Sequence, residues 1–173
     1  MAMAANYSAE ESLSDGRRVE IRALRPEDRT DFIAAVDRSS AASLYTRFFA
    51  PKRSFTEQEV AYFLQVDFIN HVALVAVLDE GGRPLIVGGG RYILLTPQKA
   101  EVALTVVDQY QGQGVGTKLL RHLIAIARDA GCKEMHADVL SDNLSMLQVF
   151  AKCGLPLTTA REAGVVHVVI ALS

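Results

Sequence analysis

The stretch from Val106 to Gly131 constrains the fold more than any other part of the chain. A run of strand formers ends at Val107. Gln111-Gly112-Gln113-Gly114-Val115-Gly116-Thr117 follows, with three glycines at alternate positions. Behind it the residues Val115, Leu119, Leu120, Leu123, Ile124 and Ala127 recur at helical spacing on one face. Gly131 stands where a C-terminal glycine cap belongs. A strand that enters a helix through glycines exposes backbone N–H groups, unobstructed by Cβ atoms, at the positive end of the helix dipole. Such a turn holds phosphate without needing a basic side chain, although a plain strand-to-helix turn has the same composition.

The remaining pattern places this unit in a mixed α/β domain. Arg18–Leu24 alternates polar and apolar residues and reads as a strand. Helices are expected from Pro26 to about Arg38, over residues 41–49, and over Glu57–Gln65 behind a Ser54 or Thr56 cap. Val72–Leu78 and Leu85–Leu95 form a hairpin about the turn Glu80-Gly81-Gly82-Arg83, and Gly88-Gly89-Gly90 signals a bulge or a close backbone approach. Lys99–Val107 and Met135–Leu140 are strands, Asn143–Lys152 is a helix behind a Ser141-Asp142 cap, and Val165–Leu172 is the last strand. The order predicts a mostly antiparallel mixed sheet with helices on both faces. Residues 1–16 read as a mobile leader and 17–173 as a single domain.

Composition removes several classes of function. A net charge of −2 over 173 residues, with no Lys/Arg run, gives no field for nucleic acid. No apolar run approaches the length needed to span a bilayer, and no secretory signal pattern opens the chain. Cys132 and Cys153 lack CxxC spacing, and His71, His122, His136 and His167 lack metal-ligand spacing, so no metal site is expected. The expected location is cytoplasmic. The glycine segment also fails two phosphate motifs. A Walker loop needs Lys directly after its last glycine, where Thr117 stands. A dinucleotide fold wants glycine at that place too, although Asp138 would mimic its ribose-binding acid.

Gln111-x-x-Gly114-x-Gly116 at a strand-to-helix junction resembles the signature of the GNAT N-acetyltransferase superfamily. Asn143-x-x-Met146 and Gly154-Leu155 resemble its downstream helix and turn. Ser40-x-x-Ser43-x-Tyr45-x-Arg47-Phe48-Phe49, Asp67–Val77 and Glu101–Val107 are similar to the catalytic domain of bacterial protein-lysine acetyltransferases. The resemblance implies a GNAT-like sheet with a splay between two strands. It also implies direct acetyl transfer from acetyl-CoA to a primary amine, expected to be a protein lysine, and it leaves homodimer formation open. A small-molecule amine acetyltransferase and a non-catalytic acyl-CoA sensor are the rivals.

The same resemblance implies the site. The cofactor's pyrophosphate would lie on the amides of Gln111, Gly112, Gln113, Gly114, Val115, Gly116 and Thr117. Its pantetheine arm would pair with Val106 and Val107, flanked by Asn143 and Met146. An N–H near Val107 would polarise the thioester carbonyl. Glu101 would be the base for a lysine that arrives charged, with Asp67 and Glu57 as weaker substitutes. Tyr45, Arg47, Phe48 and Phe49 would shape the acceptor groove. Many members of the superfamily carry a tyrosine that reprotonates the thiolate, but the matching position here is Phe150. A coenzyme A thiol is expected to leave with solvent as the proton source.

Overall fold

The computed structural model describes residues 5–28, 30–31 and 66–173. Eight strands form one sheet: β1 (Ser8–Ser12), β2 (Arg18–Ala23), β3 (His71–Glu80), β4 (Arg83–Thr96), β5 (Lys99–Val106), β6 (Glu134–Leu140), β7 (Leu157–Glu162) and β8 (Val165–Ala171). Their order across the sheet is β1-β2-β3-β4-β5-β6-β8-β7. Every neighbouring pair is antiparallel except β5 and β6. That parallel step is bridged by helix α1 (Val115–Asp129), and helix α2 (Leu144–Ala151) follows β6.

Alternation along β3 divides the core between the two faces. Val72, Leu74, Ala76 and Leu78 join the large cluster that α1 covers with Leu119, Leu120 and Leu123. Ala73 and Val75 face the other way and join Leu24 and Ile86 in a smaller cluster. Of the helices expected between Pro26 and Gln65, only the short 3-10 turn Pro26–Asp28 and the two helical residues Thr30 and Asp31 fall within the described residues. The motif Ser40–Phe49 and the candidate Glu57 lie outside them.

Two expectations need correction. Residues 1–16, read as a mobile leader, contain β1, which pairs with β2 over its whole length. Its Glu11 accepts from His122 Nε2 on α1 at 2.6 Å, and the Tyr7 hydroxyl bonds Nδ1 of the same ring. Strand β7 has no counterpart in the sequence reading, because its residues are mostly exposed and polar and show no apolar alternation.

The glycine run in β4 combines a bulge with a close approach. The register with β3 jumps from Gly88↔Ala76 to Ile86↔Val77, leaving Val87 unopposed. A Cβ at Gly90 would lie 2.6 Å from Leu104 Cδ2 and 2.9 Å from Leu123 Cδ1, so α1 rests almost directly on the β4 backbone. Gly90→Val should therefore lower stability by about 1–3 kcal/mol through overpacking, read from urea denaturation. Gly89→Ala, whose added methyl stays 3.4 Å from the Leu74 carbonyl, should cost less.

Candidate active site

The site begins where two strands stop pairing. β5 and β6 share only the rungs Lys99↔Glu134, Ala100↔Met135 and Glu101↔His136. Beyond Glu101 they part, while β5 stays paired with β4 as far as Val106↔Gly88. Val107 N–H continues that pairing by donating to Val87 O at 2.9 Å. Backbone groups alternate sides along an antiparallel strand, and no register shift intervenes between Val107 and Glu101. The N–H and C=O of Leu104 and Val106 therefore turn away from β4 and toward the parted β6.

This alternation corrects one residue of the sequence reading. Val107, expected to present its N–H to a ligand, spends that donor on β4, and its side chain is buried. Val106 faces the splay as expected. Leu104 joins it, a residue the sequence reading missed because strand alternation has no sign until one hydrogen bond fixes its phase.

At the far end of β5 the glycine turn enters α1. Gly112 and Gly114 have φ of 81° and 94°, backbone that side-chain-bearing residues adopt at a cost. Gly114 is the N-cap, no side chain caps the helix, and the first intrahelical bond is Lys118 N–H to Gly114 O at 3.1 Å. The N–H groups of Val115, Gly116 and Thr117 thus have no acceptor within the helix. They border an open groove of about 160 Å3 that Val106, Gln111, Asn143 and Met146 also line. Gly116 does a different job from Gly114: a Cβ there would meet Val149 Cγ2 at 3.1 Å, so it lets α2 close on α1.

The loop is held from two sides. Gln113 O accepts from both N–H and Oγ of Ser14, at 3.0 and 3.1 Å. The Gln111 amide donates to Val106 O at 3.3 Å, tying the turn to the end of β5. Asn143, rather than Ser141 or Asp142, caps α2: its Oδ1 accepts from Met146 N–H at 3.2 Å. Met146 lines both the groove and a small cavity between the parted strands.

Glu101 sits on the last shared rung beside His136, with an exposed side chain. Asp67, the weaker candidate base, is committed elsewhere. Its Oδ1 accepts the N–H groups of Ile69, Asn70 and His71, all at 2.9 Å. Burial pushes that carboxyl up, but the three N–H donors outweigh it and hold the group below its ordinary range. Among the described residues no three His, Cys, Asp or Glu side chains gather as a metal set, and no helix is long and apolar enough to cross a membrane.

A family model described as the Acetyltransferase (GNAT) family matches residues 39–155. The chain belongs to the GNAT family. It is 34% identical over 145 residues to Acetyltransferase PA5475 of Pseudomonas aeruginosa, covering 83% of this chain and 78% of that one. It is 33% identical over 117 residues to Acetyltransferase Pat of Mycolicibacterium smegmatis, covering 66% of this chain but only 34% of that protein. The GNAT domain of S. lividans PAT superimposes with a TM-score of 0.84 at 31% identity, covering 95% of this chain and 96% of that one. The fold is shared with yncA of Salmonella typhimurium, solved with its cofactor acetyl-CoA, at a TM-score of 0.72 and 19% identity over 90% of this chain and 94% of that one.

Asn143 at the start of α2 has a structural role as the helix cap. Asn143→Ala should cost about 1 kcal/mol of stability, the usual loss of an N-cap, in thermal or urea melts. Asn143→Ser should restore most of it, because a hydroxyl also accepts from Met146 N–H.

Proposed function

We propose that this GNAT domain transfers the acetyl group of acetyl-CoA directly to a primary amine, a protein lysine being the acceptor class. The observation that carries the reading is the β5–β6 ladder ending at Glu101, with the glycine-entered N-terminus of α1 at the other end of the same edge. Acetyl-CoA supplies an activated acyl thioester. The uncapped amides of Val115, Gly116 and Thr117 fit its pyrophosphate, since they supply donors and a positive helix end without needing a cation. The splay-facing backbone of Leu104 and Val106 offers strand-like pairing to an amide-bearing arm. An N–H of this pair, rather than that of Val107, is the donor for the thioester carbonyl.

Glu101 takes the proton of the incoming amine. A lysine is charged at neutral pH, with a free pKa of about 10.4, and cannot attack until it loses that proton. An exposed carboxylate at the point where the strands part accepts it directly or through water. The lysine class rests on the resemblance of Glu101–Val107 and Asp67–Val77 to protein-lysine acetyltransferases. It is also supported by the acidic residues Glu101, Glu134 and Asp138, which share one face of the sheet by strand alternation and register.

Glu101→Gln should leave the acetyl-CoA Kd unchanged while lowering kcat by about 10² to 10⁴, with partial recovery at high pH as the amine deprotonates unaided. Thiol release with protein and small-amine acceptors measures this. Normal turnover by the variant would return Glu101 to an ordinary surface residue, and cofactor binding without thiol release from any amine would leave a sensor module. Gly114→Val, which forces a branched side chain into left-handed backbone beside the amides, should weaken acetyl-CoA by at least about tenfold in calorimetry, or 1.4 kcal/mol.

A further inference from the structure

Acetyl-CoA carries a pyrophosphate and, on the 3′-oxygen of its ribose, a separate phosphomonoester. The amides of Val115, Gly116 and Thr117 suit the first without a cation. The second holds a charge of about −1.5 to −2 at neutral pH, and a charged donor answers it better than a neutral one. It also stands at the end of the coenzyme farthest from the thioester.

Helix α2 lays out the groove in order. Met146, in its first turn, lines both the groove and the cavity between the parted strands. Val149, the next contact along the helix, packs against Gly116, so the middle of α2 stands level with the α1 amides. Lys152 follows at the C-cap and lines the same groove. At about 1.5 Å of rise per residue, Met146, Val149 and Lys152 step along the groove over about 9 Å. Thioester arm, pyrophosphate and 3′-phosphate follow one another in the same order along the coenzyme.

Lys152 is the only charged side chain among the described residues that line this groove. It is exposed, and no ion pair among the described residues engages it. Gln148, one turn earlier, also lines the groove and adds an amide donor. Lys118 is a second cation near the loop, its Nζ 3.7 Å from where a Cβ at Gly114 would stand, but it does not line the groove.

Resting on the acetyl-CoA reading above, we propose that Lys152 binds the 3′-phosphate of the coenzyme and makes this domain select coenzyme A thioesters over those of 3′-dephospho-coenzyme A. A lysine ammonium is a compact charge on a flexible stem, which suits a phosphate at the open end of a groove. Water and salt reach that end, so the selection is a graded preference rather than an absolute one. The preference rests on the charge of one side chain. Its loss therefore leaves the hold of the α1 amides on the pyrophosphate intact.

Calorimetry on the full chain with acetyl-CoA and acetyl-3′-dephospho-CoA tests this. The wild-type protein should bind acetyl-CoA about five- to twentyfold more tightly, the usual worth of one charged contact, and added salt should shrink that ratio. Lys152→Gln should bring the ratio to within about twofold of unity, with the Kd of the dephospho form within about twofold of wild type. Lys152→Arg should keep the preference, and Lys118→Gln should leave the ratio as in the wild type. A wild-type ratio near unity, or a ratio that Lys152→Gln does not move, would overturn the proposal. An equal loss for both ligands would overturn it too, reducing Lys152 to the C-cap of α2. A ratio abolished by Lys118→Gln instead would move the subsite to α1. Wild-type protein that binds neither coenzyme would remove the acetyl-CoA reading first, and this role of Lys152 with it.

Discussion

The molecule is organised by the strand β5, which pairs completely with β4 but with β6 only through Glu101. Buried backbone donors and acceptors normally find partners, since each one left alone costs about 1–3 kcal/mol. Val106 O is met by the Gln111 amide, and the strand turns the remaining groups of Leu104 and Val106 toward a gap that can take something completing the ladder. Met146 and Phe150 of α2 line the small cavity between the two strands.

The same economy governs the phosphate end. The loop takes its shape from Gly112 and Gly114, and it is fastened by two donors from Ser14 and one from Gln111. No side chain caps α1, so its first amides have no acceptor within the helix. The N-terminal segment meets this unit twice: Ser14 bonds the loop before α1, and Glu11 and Tyr7 bond His122 midway along the helix. Preorganisation of this kind lowers the ordering cost of binding, which favours affinity without new contacts.

Acidic groups stand on both sides of the splay. Glu101 lies on β5 at its apex, while Asp138 and His167 lie across the gap on β6 and β8. Phe150 is almost fully buried and packs in the core.

The sequence by itself determined whatever depends on neighbours along the chain. The glycine-entered helix, its apolar face, the β3–β4 hairpin and the acid on β5 were legible because turn chemistry and periodicity are local. The bulge or close approach flagged at Gly88-Gly89-Gly90 was legible too, although only the fold named Leu104 and Leu123 as the cause. Tertiary structure alone decided which way β5 aims its amides: the single bond from Val107 to Val87 fixes the phase of the alternation and turns Val107 away from the splay. It also made β1 and β7 strands, because an exposed edge strand gains its order from the partner it pairs with and shows no apolar pattern of its own. The meeting of Asp138 with His167, 29 residues apart, follows from the register of β6 on β8. Register is set by long-range packing of buried faces, and no spacing along one chain encodes it legibly.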